Sequence, residues 1–149
     1  MSGTETIQIP HLGGSTIGYR FGKAYDASLP TLVMVNSFST SVELYRPQFA
    51  DDKLSATANL LAIEPYGHGR TRASYEQFTY WDSAIAGLQV LDALGISEAF
   101  VLGTSQGGWI AARMAMRVAI HPPCEVPRTN ASRMPSASRT CRLAMAESQ

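Results

Sequence analysis

The chain has 149 residues, 45% of them hydrophobic and 16% charged, with a formal net charge of zero; this suits one globular domain with a buried core and sets up no field for nucleic acid or an anionic membrane. No apolar run approaches the roughly 18–20 residues of a membrane span. The polar start, Met1–Pro10, lacks the regions of a secretory leader, and two cysteines are too few for a disulfide scaffold, so the expected location is the cytoplasm.

In chain order, Thr4–Ile9 and Ser15–Phe21 alternate in polarity around His11-Leu12-Gly13-Gly14, which predicts an N-terminal hairpin. Thr31–Val35 is a compact apolar run after Pro30, the pattern of a strand buried on both faces. A short helix is expected around Leu44–Asp51. Asn59–Glu64 is a second buried strand, ended by Pro65 and the turn Gly67-His68-Gly69. Thr79 with Asp82 three positions on spells a capping box, and Trp81, Ile85, Leu88, Leu91 and Leu94 form one apolar stripe before Gly95, a helix-stop residue. Ala99–Leu102 is a third apolar strand, and a second helix runs from Gln106 to about Met116. Strand and helix alternate, so the predicted class is α/β with a largely parallel sheet.

Between that last strand and last helix stands Gly103-Thr104-Ser105-Gln106-Gly107-Gly108. It spells the G-x-S-x-G nucleophile elbow in the strand–turn–helix context the motif needs. A sharp turn presents the Ser105 hydroxyl at the carboxyl end of the sheet. Gly103 and Gly107 let the backbone turn without Cβ clashes, and Gly108 is expected to let the helix approach the sheet closely. The Gln106 N–H then lies at a helix N-terminus, where donors and dipole favour an oxyanion. A dinucleotide fingerprint is excluded because it needs glycine at 105, and no Gly-Lys-Ser/Thr of a phosphate-binding loop occurs. No metal and no cofactor is called for.

With the elbow, two further landmarks bring the chain into line with a known family: over about Thr4–Met116 it resembles an α/β-hydrolase-fold protein. Members follow their third strand with H-G-x, whose last residue donates an oxyanion-hole N–H; the matching residues here are Asn36-Ser37-Phe38, so the resemblance gives that role to Phe38. Ser37 departs from the pattern, adding a Cβ where backbone should approach substrate. After their fourth strand members carry D-x-x-G-x-G-x-S. Here the stretch reads Glu64-Pro65-Tyr66-Gly67-His68-Gly69-Arg70-Thr71, with Glu for Asp and Thr for Ser. The resemblance implies Ser105 as nucleophile, Gln106 and Phe38 as oxyanion donors, and a small-molecule ester or thioester as substrate. From Thr31 to Met116 the wording also resembles fungal hydrolases of secondary-metabolite clusters, including those for polyketide-type toxins. Some such relatives end in a peroxisomal tripeptide, which Glu147-Ser148-Gln149 does not match.

In the family the catalytic acid and then the histidine follow the serine in chain order. After Ser105 this chain has only His121, which a helix rising about 1.5 Å per residue carries away from the elbow. His68 reads as a rim or structural residue, His11 as part of the hairpin, and Asp82 and Asp92 as a cap and a solvated helix face. The met pair Met114 and Met116 reads as helix packing. Asn130-Ala131-Ser132 spells a glycosylation sequon without a secretory context.

Composition changes abruptly past Met116. Residues 117–149 hold both cysteines and four of the eight prolines but no glycine or aromatic residue; five Arg against two Glu give this tail +3, while residues 1–116 carry −3. Such a segment buries too little apolar surface to offset its ordering entropy. The expected organisation is therefore residues 1–116 as the first part of a hydrolase domain, lacking its later strands, and 117–149 as a divergent, disordered tail. Three readings follow: a serine hydrolase or acyltransferase by descent that is catalytically incomplete, a non-catalytic binding fragment pairing with a full-length homologue, or a working enzyme that recruits His121 or a partner's histidine. The strand Ala99–Leu102 is expected to present an open edge through which such association would run.

Overall fold

A computed structural model describes residues 3–120 and 140–143 of the chain. The hairpin strands are β1 (Glu5–Ile9) and β2 (Ser15–Phe21), joined through a single 3-10 turn at His11–Gly13. β3 (Thr31–Val35) leads through a second 3-10 turn, Val42–Tyr45, into the short helices α1 (Arg46–Phe49) and α2 (Asp52–Thr57). Then come β4 (Asn59–Ile63), the two-residue β5 (Arg72–Ala73), α3 (Tyr80–Ala93), β6 (Glu98–Gly103), α4 (Gln106–Ile120) and β7 (Thr140–Leu143).

The sheet runs in the order β1-β2-β4-β3-β6-β7, with β5 beside β2. β1 and β2 pair antiparallel, β2 meets β4 antiparallel, and β4, β3, β6 and β7 are parallel. In the parallel core Ile63 pairs with Val35 and Val35 with Gly103. Three chain segments therefore leave the sheet side by side at its carboxyl end, immediately before Glu64, Asn36 and Thr104. That is where open α/β sheets build their sites.

Both faces of the sheet are apolar, as the unbroken runs in β3 and β4 require. Val33, Val35, Leu61, Ile63 and Val101 join α3 and α4 in one core. Met34, Leu60 and Ala62 point the other way, onto Val42, Tyr45 and Phe49. The second face is covered less far: Phe100 on β6 stays 41% exposed.

Helix α3 begins and ends as its sequence spells. The Thr79 hydroxyl accepts the Asp82 N–H and the Asp82 carboxylate accepts the Thr79 N–H at 2.7 Å, completing the capping box. Gly95, at φ +70°, closes the helix: its N–H donates to the Asp92 carbonyl and the Ile96 N–H to the Leu91 carbonyl, a Schellman pair. The buried stripe differs from the expected one. Trp81 is exposed, and small residues, Ala84 and Gly87, take the inner face, because α4 packs so closely that a Cβ at Gly87 would stand 3.0 Å from the Met114 methyl.

Two further expectations are corrected. The helix expected around Leu44–Asp51 is broken into a 3-10 turn and α1, and α2 starts afresh where the Asp51 carboxylate caps the Lys53 and Leu54 N–H groups. The edge of β6 is not open, because β7 of this same chain pairs along it from Glu98–Thr140 to Val101–Leu143. Backbone donors and acceptors on β6 thus find partners within the chain. Helix α4 also continues to Ile120, past the expected boundary at Met116. The rest of the tail, with His121, Cys124, the sequon and the expected disorder, lies outside the described residues. Among the described residues no helix is long and apolar enough to cross a membrane.

The capping box extends into an unexpected contact, His11 Nε2 to Asp82 Oδ1 at 3.1 Å, which ties the hairpin turn to α3. Burial alone would raise the Asp82 carboxyl, but hydrogen bonds from the Thr79 side chain and backbone, with the His11 contact, outweigh it and lower the pKa. A carboxyl held lower in the folded state stabilises the fold above its unfolded pKa of about 3.9 and loses that contribution as pH falls through the folded value. The parent chain should therefore be more stable than Asp82→Asn near neutral pH, with the gap closing toward acid. Urea unfolding across that range measures it, and a gap that persists when the carboxyl is protonated would contradict this account.

Candidate active site

Ser105 follows Thr104 in the two-residue turn between β6 and α4 and takes φ +54°, the left-handed region that non-glycine residues rarely adopt. Such strain persists only where the surroundings over-determine it, and here backbone crowding supplies the constraint. A Cβ at Gly103 would overlap the Gly107 carbonyl and the Gly108 nitrogen, and a Cβ at Gly107 would overlap the Val35 carbonyl. The expectation for Gly108 is corrected, since a Cβ there would lie 3.4 Å from the Gly103 carbonyl oxygen, an ordinary contact. The Thr104 N–H donates to the Val35 carbonyl at 3.4 Å, and the Tyr45 hydroxyl donates to that same carbonyl at 2.7 Å. Burial raises the Tyr45 pKa, with a smaller opposing contribution from a Thr104 hydrogen bond, so the phenol stays a donor.

Gln106 is the first residue of α4, with its side chain buried. Phe38 lies in the loop after β3, at the same sheet end as Ser105, and is 70% exposed. That loop is held internally. The Asn36 amide donates to the Ser37 and Thr40 carbonyls at 3.2 and 3.0 Å, and the Thr40 hydroxyl donates to the Ser37 carbonyl at 2.7 Å. Ser39 takes φ +58°, a second strained position at this end of the sheet.

The third landmark is a brace. Glu64, only 2% exposed, accepts the Arg70 N–H at 2.6 Å and the Val42 N–H at 3.3 Å. The Thr71 hydroxyl donates to the Glu64 carbonyl at 2.7 Å and accepts the Gly18 N–H at 3.0 Å. The carboxylate thereby joins the turn after β4 to the segment after β3, and the Thr71 hydroxyl ties that turn to the hairpin strand β2.

Of the two expectations for His68, rim or structural, the contacts fit a structural one. Its Nε2 accepts the Ser39 N–H at 3.2 Å and lies 3.3 Å from the Gln106 side-chain nitrogen. An accepting Nε2 carries no proton, so Nδ1 holds it and donates to the Tyr66 carbonyl at 2.9 Å. The His68 ring also meets Phe38 edge to face at 5.9 Å. His68 therefore joins the loop bearing Phe38 to the helix start bearing Gln106. Its spelling inside a Gly-His-Gly turn carried no sign of this.

Phe38, His68 and Gln106 line one cavity of about 550 Å³, walled further by Tyr66, Phe78 and Ile110. Ser105 adjoins it through Gln106 but is not among its lining residues. Tyr66 and Phe78 face each other at 5.4 Å, and the buried Tyr66 hydroxyl, its pKa raised by burial, donates to Ser15 at 2.9 Å. Among the described residues no three His, Cys, Asp or Glu side chains gather as a metal-binding group. None of the residues described after Ser105 is His, Asp or Glu.

Comparison with known proteins agrees with this geometry. The alpha/beta hydrolase fold family matches residues 30–126, and the chain belongs to that family. It is 31% identical over 112 residues, 70% of this chain and 36% of the relative, to a 2-heptyl-3-hydroxy-4-quinolone dioxygenase of Rhodococcus erythropolis. It is 29% identical over 121 residues, 78% of this chain and 44% of the relative, to 3-oxoadipate enol-lactonase 1 of Acinetobacter baylyi. A solved enol-lactonase of Burkholderia xenovorans superposes with a TM-score of 0.65 at 28% identity, over 76% of this chain and 42% of its own. The chain thus spans about two fifths of the length of the proteins it matches.

The crowding predicts an ordered set of stabilities. Gly107→Ala should cost about 3 kcal/mol, the upper end for overpacking. Gly108→Ala should be neutral or gain up to about 1 kcal/mol of helix propensity. Ser105→Gly should stabilise by up to about 1 kcal/mol by relieving the positive φ, which Ser105→Ala leaves in place. Denaturant unfolding of the four variants gives the order directly.

Proposed function

We propose that this chain carries the nucleophile half of a serine hydrolase acting on an ester or lactone. Ser105 attacks the acyl carbon, and the N–H groups of Gln106 and Phe38 receive the negative charge that develops on the carbonyl oxygen. A histidine takes the serine proton and an acid orients that histidine, both from outside the described residues. The observation that carries this reading is Ser105 at positive φ between β6 and α4, beside a cavity shared by Gln106 and Phe38. The enol-lactonase likenesses favour lactone or ester cleavage over acyl transfer or a thioester substrate. A place in fungal polyketide-type toxin biosynthesis rests on the resemblance of residues 31–116 alone.

Without base and acid, Ser105 is a neutral hydroxyl. Removing triad residues costs about 10⁶ in turnover where this has been measured. The chain alone should therefore hydrolyse p-nitrophenyl esters no faster than its Ser105→Ala variant. Co-expressed with the part of the Acinetobacter enol-lactonase that follows its matched region, it should gain Ser105-dependent turnover. Ser105-dependent turnover by the chain alone would overturn the incompleteness, and turnover in the mixture that survives Ser105→Ala would overturn the nucleophile.

A further inference from the structure

Among the described residues, the cavity beside the turn that bears Ser105 has no charged side chain in its lining. Its rings come from Phe38, Tyr66, Phe78 and Tyr80, and its polar groups from Thr79, Ser83, His68 and Gln106; none of these is Lys, Arg, Asp or Glu. His68 does not supply a cation, because its Nε2 is occupied as an acceptor of the Ser39 N–H. Thr79 is committed to the capping box, and the Ser83 hydroxyl accepts the Tyr66 N–H at 3.3 Å. Arg113 stacks at 5.8 Å from Tyr80, and against Trp81 and Trp109, without joining the lining.

A carboxylate moved from water into such a site finds no cation among the described lining residues to offset its desolvation, which is unfavourable. Flat, polarisable walls favour ring-bearing groups instead. Negative charge is welcome at one point only, the N-terminus of α4, where the reacting carbonyl would lie. We propose that the cavity takes the acyl or lactone portion of an uncharged, ring-bearing substrate and refuses one whose far end carries a carboxylate. This rests on the hydrolase reading only in calling the bound molecule a substrate; the selectivity itself is a property of binding.

The test uses two non-hydrolysed probes on the full chain, N-ethylphenylacetamide and the same amide with a para-carboxylate on its ring. Backbone amide shifts of the 15N-labelled protein report both site and affinity. The neutral amide should bind at least tenfold more tightly and move the Phe38, His68 and Gln106 signals. Phe78→Ala should weaken it about tenfold. Phe78→Arg, at a half-exposed loop position, should turn the preference toward the carboxylate. Equal or tighter binding of the carboxylate by the parent, no binding of either probe, or shifts confined elsewhere would overturn the proposal. Selective binding without turnover in the co-expressed mixture would fault the hydrolase reading and leave the selectivity standing.

Discussion

The arrangement depends on one close approach of backbones. Where β6 turns into α4, the Gly107 carbonyl presses on Gly103, and the Val35 carbonyl at the end of β3 presses on Gly107. No side chain fits in that space. Because β3 and β6 pair up to Val35 and Gly103, the contact sets how near the helix start comes to the loop after β3. That distance brings Gln106 and Phe38 to one cavity. The positive φ of Ser105 is the geometric consequence: a helix that starts so soon after a strand leaves only Thr104 and Ser105 to reverse the chain.

Around this contact the polar groups work as braces. Glu64 is buried, yet both of its oxygens accept backbone N–H groups, so its desolvation is offset where an unpaired carboxylate would be strongly destabilising. It holds the turn after β4 against the segment after β3. His68 adds a second link, from Ser39 to Gln106, at the mouth of the cavity. The Asp82–His11 contact and the Tyr66–Ser15 hydrogen bond continue this bracing back to the hairpin. The cavity walls are thus attached to β2, β3, β4 and α4 together, which suits a preformed binding site.

How far the sequence was legible varies with the range of the forces involved. The strands in β1 to β4 and β6, the capping box at Thr79 and the stop at Gly95 follow local chemistry, and each lies where its spelling puts it. The Gly103-Thr104-Ser105-Gln106-Gly107 turn was legible from its spelling between a strand and a helix pattern, although the close contact that Gly107 needs is with Val35, far off in the chain. What escaped were features made by distant partners. β5 is two residues long and exists only because β2 offers Ser15 and Thr16 as partners. β7 depends on the free side of β6. Trp81 fits a helical stripe, but close packing of α4 on Ala84 and Gly87 turned the inner face away from it. His68 and His11 gave no periodic or motif signal, since their partners are twenty-nine and seventy-one positions away.

The strained residues separate what the fold needs from what a site needs. Leu12, at φ +52°, lies in the hairpin turn, where reversal of the chain between β1 and β2 accounts for it. Ser39 and Ser105 have no hairpin to close. Both lie at the carboxyl end of the parallel strands, one beside Phe38 and the other beside Gln106. A left-handed non-glycine residue costs about 1–2 kcal/mol, and glycine at either position would relieve it. Serine at 105 retains that cost while presenting a hydroxyl next to a helix N-terminus, where a developing oxyanion is best stabilised. The strain is held by the Gly103–Gly107 contact, so the turn that carries Ser105 is fixed by the backbone packing of β3, β6 and α4.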